Sequence, residues 1–171
     1  MENFTNETID TTKLPKFEEV QFSVLHPSYW KVTLINAFFF FSILAIGLGV
    51  LLFFNQGLLV FLIEISVIFF VLLFVFILIS RIGFKKKGFA FRTHDVLYRY
   101  GVVATNTIVI PYNRVQHVAL HQGFVSRFFG LAKIEVFTAG GSSSDIKIPG
   151  IEMEQAENIK QLLMGKIKVE L

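Results

Sequence analysis

The chain has 171 residues, 53% of them apolar, a net charge of +3 and no cysteine. Without cysteine there is no disulfide framework, no thiolate nucleophile and no Cys-ligated metal. The mean hydropathy is +0.61 and there are 21 phenylalanines, most of them inside one stretch. The charge is divided: residues 1–80 carry three Lys against six carboxylates, and residues 81–171 carry thirteen Lys or Arg against seven.

Residues 1–24 are polar with little periodicity, which predicts a disordered tail. Residues 25–83 predict a transmembrane hairpin. Pro27 suits the first turn of a helix, where its missing N–H is harmless. Tyr29 and Trp30 stand where an interfacial aromatic belt belongs, and Lys31 can snorkel to the headgroups. Two apolar runs of 23 residues follow, 32–54 and 58–80, joined by Asn55-Gln56-Gly57. At 1.5 Å per residue each makes a helix of roughly 34 Å, enough to cross a hydrocarbon core of about 30 Å. Neither run has a polar face, and in lipid a helix satisfies its own backbone. The first run starts too far in, and is too long, for a cleavable signal.

Glu64 is the only charge within the runs. An intramembrane carboxylate is a functional candidate by default. The structural alternative is a neutral or hydrogen-bonded group packed against the partner helix, or against Asn36 or Ser42. Beyond the second run come Arg81 and Lys85, Lys86 and Lys87. By the positive-inside rule this cluster stays in the cytoplasm, so both termini are cytoplasmic and the turn faces outward. The three lysines also suit a juxtamembrane anchor to anionic lipid.

From Gly88 the period becomes two. Phe89 and Phe91, then Val96, Tyr98 and Tyr100, then Ile108, Ile110 and Tyr112 mark one face, with turns at Thr93-His94-Asp95 and Thr105-Asn106. On the next strand Val115, His117, Ala119 and His121 alternate with Gln116, Val118 and Leu120. Lys133–Thr138 and Asp145–Ile148 complete the set, and Val125–Phe129 fits a short helical turn. This pattern predicts an α+β, mainly β domain over 84–171: an antiparallel sheet curled into a barrel or sandwich. Ile151, Ala156, Ile159, Leu162 and Leu163 then mark a helix face, with Glu152 and Glu154 in its first turn. That helix is expected to plug the open end of the barrel.

The words of this domain resemble a known family. Ile110-Pro111-Tyr112-Asn113-Arg114-Val115-Gln116-His117-Val118 is similar to the IPxxRIQxV stretch of bacterial pleckstrin-homology-like (PH-like) domains, the family once called DUF304. Gln122-Gly123, Arg127-Phe128-Phe129-Gly130-Leu131-Ala132, Val136-Phe137-Thr138-Ala139-Gly140-Gly141 and Ile148-Pro149-Gly150 continue it in order. The hairpin with Leu25-His26-Pro27 before it resembles the short two-span YdbS type. The resemblance implies two near-orthogonal antiparallel sheets capped by a C-terminal helix, in a bacterial plasma-membrane protein. It also implies a partner: a larger membrane protein carrying several copies of the same domain. It does not imply phosphoinositide binding, because the basic pair of that pattern is replaced by Thr93-His94-Asp95.

The remaining candidates are few. Arg114 and Arg127 can fork onto phosphate or carboxylate; Asp95, Glu135 and Asp145 are their intradomain alternatives. With Gln116 and His117 they form the candidate partner-binding set. His117 and His121 lie some 13 Å apart on a strand, too far to share a metal. Gly140-Gly141-Ser142-Ser143-Ser144 lacks the Lys and the strand-to-helix context of a P-loop, and reads as a hairpin turn. No dyad, cofactor motif or nucleic-acid motif is present, so no enzyme and no cofactor is expected. The chain reads as a membrane-held binding module. Its expected partners are membrane lipids, the larger PH-like membrane protein, and further copies of itself. The alternative is a small oligomeric transporter or channel component built around Glu64.

Overall fold

The computed structural model describes Thr8, residues 19–139 and residues 145–169. Residues 140–144, expected as a turn, and most of the expected tail lie outside them.

Helix α1 spans Ser28–Phe54. It begins earlier than the apolar run because Tyr29, Trp30 and Lys31 continue the helix straight from Pro27. Asn55 ends it: its backbone N–H and its Nδ2 both donate to the Leu51 carbonyl, at 3.0 and 3.1 Å. A 3-10 segment, Gln56–Phe61, leads into α2, Leu62–Lys86. Both helical stretches are long and apolar enough to cross a membrane. Phe41 joins them; its ring meets Phe69 at 5.7 Å and Phe76 at 5.6 Å, edge-on to both.

A strand stands on either side of this hairpin. Ser23–Val24 (β1) pairs antiparallel with Gly88–Phe91 (β2), Val24 opposite Gly88. The last residues of the expected tail are therefore part of a sheet. Asp95–Tyr100 (β3) and Asn106–Pro111 (β4) extend it in the order β1-β2-β3-β4. A second sheet holds Val115–His121 (β5), Leu131–Thr138 (β6) and Ile146–Glu152 (β7), in that order. Phe124–Phe128 (α3) lies between β5 and β6, and Met153–Val169 (α4) ends the chain.

The expected curled sheet or barrel does not form. The ladder breaks after β4, where Pro111 has no N–H to donate and a 3-10 turn, Tyr112–Arg114, follows. The result is two open sheets, and the domain that follows the hairpin is mixed α/β rather than mainly β. With no barrel end to plug, α4 lies along the second sheet, chiefly against β5.

The two sheets share one core. Phe89, Val96, Tyr98 and Ile110 meet Ile134, Val136 and Ile148, with Ala156 and Leu163 of α4. The alternation in β5 slips at a bulge between Val115 and His117. Gln116 is the extra residue, so Val115 and Val118 are both buried instead of facing opposite ways. At the other end, β7 runs on through Pro149 and Gly150 to Glu152, and α4 starts two residues later than its apolar face predicts. Ile151 is consequently a strand residue, and Leu162 faces solvent.

Candidate functional site

The hairpin is built into the domain at its base. Gly150 has φ +66°, and a Cβ there would lie 2.5 Å from Cγ of Tyr29. The His26 N–H donates to the Gly150 carbonyl at 2.8 Å. Phe84 of α2 packs against both aromatics of α1, with ring centroids 6.4 Å from Tyr29 and 6.1 Å from Trp30. The Arg81 guanidinium lies 4.9 Å from the centre of the Trp30 ring. Tyr29, assigned by sequence to an interfacial aromatic belt, is partly buried and packs against the domain core. Lys31 is exposed.

The lysine triplet is split. Lys85 and Lys86 are exposed, and Lys86 Nζ donates to the Val102 carbonyl at 2.6 Å. Lys87 turns inward to a cleft of about 290 Å³ beside Tyr29, Thr33, Ser80, Tyr100 and Gly101. Burial holds its ammonium below the usual lysine pKa.

The four candidate partner residues are not one patch. Arg114, Gln116 and His117 are exposed at the start of β5. His117 stacks on its cross-strand partner Phe137, with centroids 4.1 Å apart. Arg127 is on α3, beyond the other end of β5, roughly 20 Å away at about 3.3 Å per residue. The carboxylates considered for the two arginines are engaged elsewhere. Asp95 accepts from Arg92 Nε at 2.6 Å, Glu135 pairs with Lys133, and Asp145 accepts from Thr138. Lys133 holds the Glu135 carboxyl below its usual pKa. The Arg92–Asp95 pair closes the β2–β3 turn, and its i,i+3 spacing was open to reading in the sequence. From beneath it the Tyr112 hydroxyl donates to the Arg92 carbonyl at 2.6 Å, and burial pushes the Tyr112 phenol up to about 12.

A groove of about 430 Å³ runs between β5 and α4, lined by Leu120, Met153, Glu157, Lys160, Gln161 and Met164. The β5 strand is the outer strand of its sheet. Sequence reading pointed to a membrane-held binding module but not to these side chains. The available signal was a pair of methionines on a polar helix, adaptable apolar side chains common at binding surfaces.

Glu64 is exposed in the first turn of α2, eight residues into the apolar stretch Gln56–Lys86, because the 3-10 segment takes up the preceding residues. It bonds neither Asn36 nor Ser42. Nearby Ser66 and Phe69 share a cleft with Ala45, Leu48, Gly49 and Leu52, the half of α1 nearer the turn. Asn36 lies farther along α1, toward the domain.

Known proteins place the chain further. It is 29% identical over 92 residues to the UPF0699 transmembrane protein YdbS of Bacillus subtilis (strain 168), covering 54% of this chain and 56% of YdbS. It is 30% identical over 97 residues to the UPF0699 transmembrane protein YdbT of the same organism, covering 55% of this chain and 20% of YdbT. The match thus spans about half the length of one relative and a fifth of the other. No solved structure matches the chain significantly. The bacterial PH domain family matches residues 33–167, from within α1 to near the end of α4. Among the described residues no three His, Asp or Glu converge as a metal site. By that match the chain, with its two membrane-length helices, belongs to the bacterial PH domain family.

Proposed function

We propose that the protein is a membrane-held docking module whose β5–α4 groove receives an extended segment of a larger membrane protein bearing repeated PH-like domains. The observation that carries this reading is the outer position of β5 beside an apolar-floored groove. An outer strand offers a row of backbone donors and acceptors, and the groove takes alternate side chains of an added strand. Gln116 and His117 lie on that same strand, with Arg114 just ahead of it. Arg127, at the far end, belongs to a different surface. That YdbT is several times longer than its matched segment supports a partner of this kind.

The hairpin sets the module on the cytoplasmic face, with both termini inside, since Arg81 and the lysines gather at one end of it. There Trp30, Lys31, Lys85 and Lys86 meet the headgroups. Lys87, desolvated in its cleft, gains an anionic headgroup oxygen as counter-charge.

The test is purification of the tagged full chain in mild detergent from its own host. Leu120→Asp and Met164→Asp, each checked for an unchanged melting temperature, are expected to lower recovery of the multi-domain partner about tenfold or more, as loss of an interface anchor does. Undiminished recovery from folded variants would refute the groove as the docking site. Loss of recovery on Glu64→Gln alone would transfer the function to the membrane helices.

A further inference from the structure

Outside the hairpin, four large apolar side chains are at least 74% exposed among the described residues: Val24 (74%), Val103 (98%), Phe124 (78%) and Phe128 (75%). The two phenylalanines are as bare as Phe53 (77%) and Phe54 (78%) on membrane helix α1. A water-exposed domain seldom leaves such groups uncovered together without a reason.

Their positions are not scattered. Val24 stands four residues before α1, on the strand that leads into it. Val103 tips the β3–β4 turn, which rests on the end of α2. Lys86 Nζ holds the Val102 carbonyl at 2.6 Å, and a Cβ on Gly83 would meet Val102 Cγ2 at 3.3 Å. Gly101 shapes that turn; with φ +127°, a Cβ there would lie 1.9 Å from the Ala104 carbonyl oxygen. Phe124 and Phe128 are on α3, which packs against α1 and β6. They stand one turn apart, edge to face, with centroids at 5.2 Å. Arg127 is exposed beside them. Each bare group is thus on an element that adjoins an end of the hairpin where it joins the domain.

We propose that Phe124, Phe128 and Val103 are seated in the same leaflet from which the hairpin emerges, giving the domain a second, non-spanning membrane contact on both sides of its anchor. A bilayer is the occupant because the surface is continuous with helices of membrane length, and because cations sit beside it. Arg127, Lys31 and Lys85 are exposed there, the pairing of aromatic bulk with a basic rim that suits an anionic interface. Arg127 is then a headgroup contact, apart from the partner groove, and this inference does not depend on that groove.

The absence of cysteine makes the test direct. Phe128→Cys and Val103→Cys are each spin-labelled in the full chain, reconstituted in vesicles of phosphatidylcholine and phosphatidylglycerol. Collision with oxygen is compared with collision with a water-soluble nickel chelate. Phe39→Cys on α1 gives the lipid reference, and Lys147→Cys on the second sheet gives the water reference. Labels at 128 and 103 are expected to be oxygen-accessible and nickel-protected, as at 39. Nickel accessibility matching that at 147 would overturn the proposal. So would spin–spin broadening at 128, which would show a second copy covering α3. Phe128→Trp in a Trp30→Phe chain keeps the aromatic group, and its quenching by lipids brominated in the acyl chain is the second readout. An unquenched Trp at 128 would also overturn the proposal.

Discussion

Tyr29 occupies the space that any side chain at position 150 would need: a Cβ on Gly150 would fall 2.5 Å from Tyr29 Cγ and 2.6 Å from its Cβ. The first turn of the membrane hairpin is thereby seated against β7. Gly150→Ala must strain a left-handed backbone, at about 1–2 kcal/mol, and displace the ring as well. The expected result is a loss of at least ~2 kcal/mol, read as a lower melting temperature in detergent. Adding Tyr29→Ala should recover the part of the steric cost that comes from the ring, but neither the part that comes from the Tyr29 Cβ at 2.6 Å nor the backbone part. A double-mutant cycle with zero coupling would show that the two residues do not bear on one another.

Alkaline stability should turn on two buried phenols. Burial raises the pKa of Tyr98, and burial pushes that of Tyr112 from 10.0 to about 12. A group whose folded pKa is raised contributes fully below its unfolded value and loses that contribution as pH rises through the folded value. The contribution of the Tyr112 phenol should therefore be flat up to about pH 10 and fall from there to about pH 12. Tyr112→Phe should cost about 1 kcal/mol near neutral pH, from the bond to the Arg92 carbonyl, and should make the alkaline slope shallower. Denaturant melts across that range, with phenolate absorbance, check both. An unchanged slope would contradict the assignment.

Trp30 is the sole tryptophan and lies under the Arg81 guanidinium. Arg81→Gln should change its emission and loosen the α1–α2 contact by about 0.5–1 kcal/mol. Arg81→Lys should retain part of both. Fluorescence-detected unfolding in detergent distinguishes the three proteins.

Glu64→Gln should leave melting temperature, oligomeric state and partner recovery unchanged, since the carboxylate is exposed and makes no hydrogen bond or ion pair among the described residues. A marked change in any of them would show that Glu64 acts on a neighbouring molecule.

Much of this architecture was legible from local rules. The apolar runs follow from their length and lack of a polar face, and the core faces of β2, β3 and β4 from a period of two, which each segment displays by itself. What escaped depends on pairings between distant segments. Nothing within Ser23-Val24 says that it will find Gly88-Phe89, and the missing N–H of Pro111 was not read as the place where the ladder stops. The barrel expectation failed at that one proline. The arginines were misjudged for a similar reason. Arg92 sits three residues from Asp95 and takes it at once, so Asp95 was never open to Arg114. The Tyr29–Gly150 contact joins residues from opposite ends of the chain, and only the family-like word around Gly150 hinted at it.

The strand pairing across the hairpin bears on how the protein is made. Since β1 leaves the ribosome first and β2 only after both helices, the edge of the first sheet stays open until the chain has crossed the bilayer and come back. A hairpin with one helix left uninserted would strand β1 and β2 on opposite sides, and the sheet could not close. Completion of the soluble domain is thus conditional on correct insertion, so the folded head certifies the topology of its own anchor.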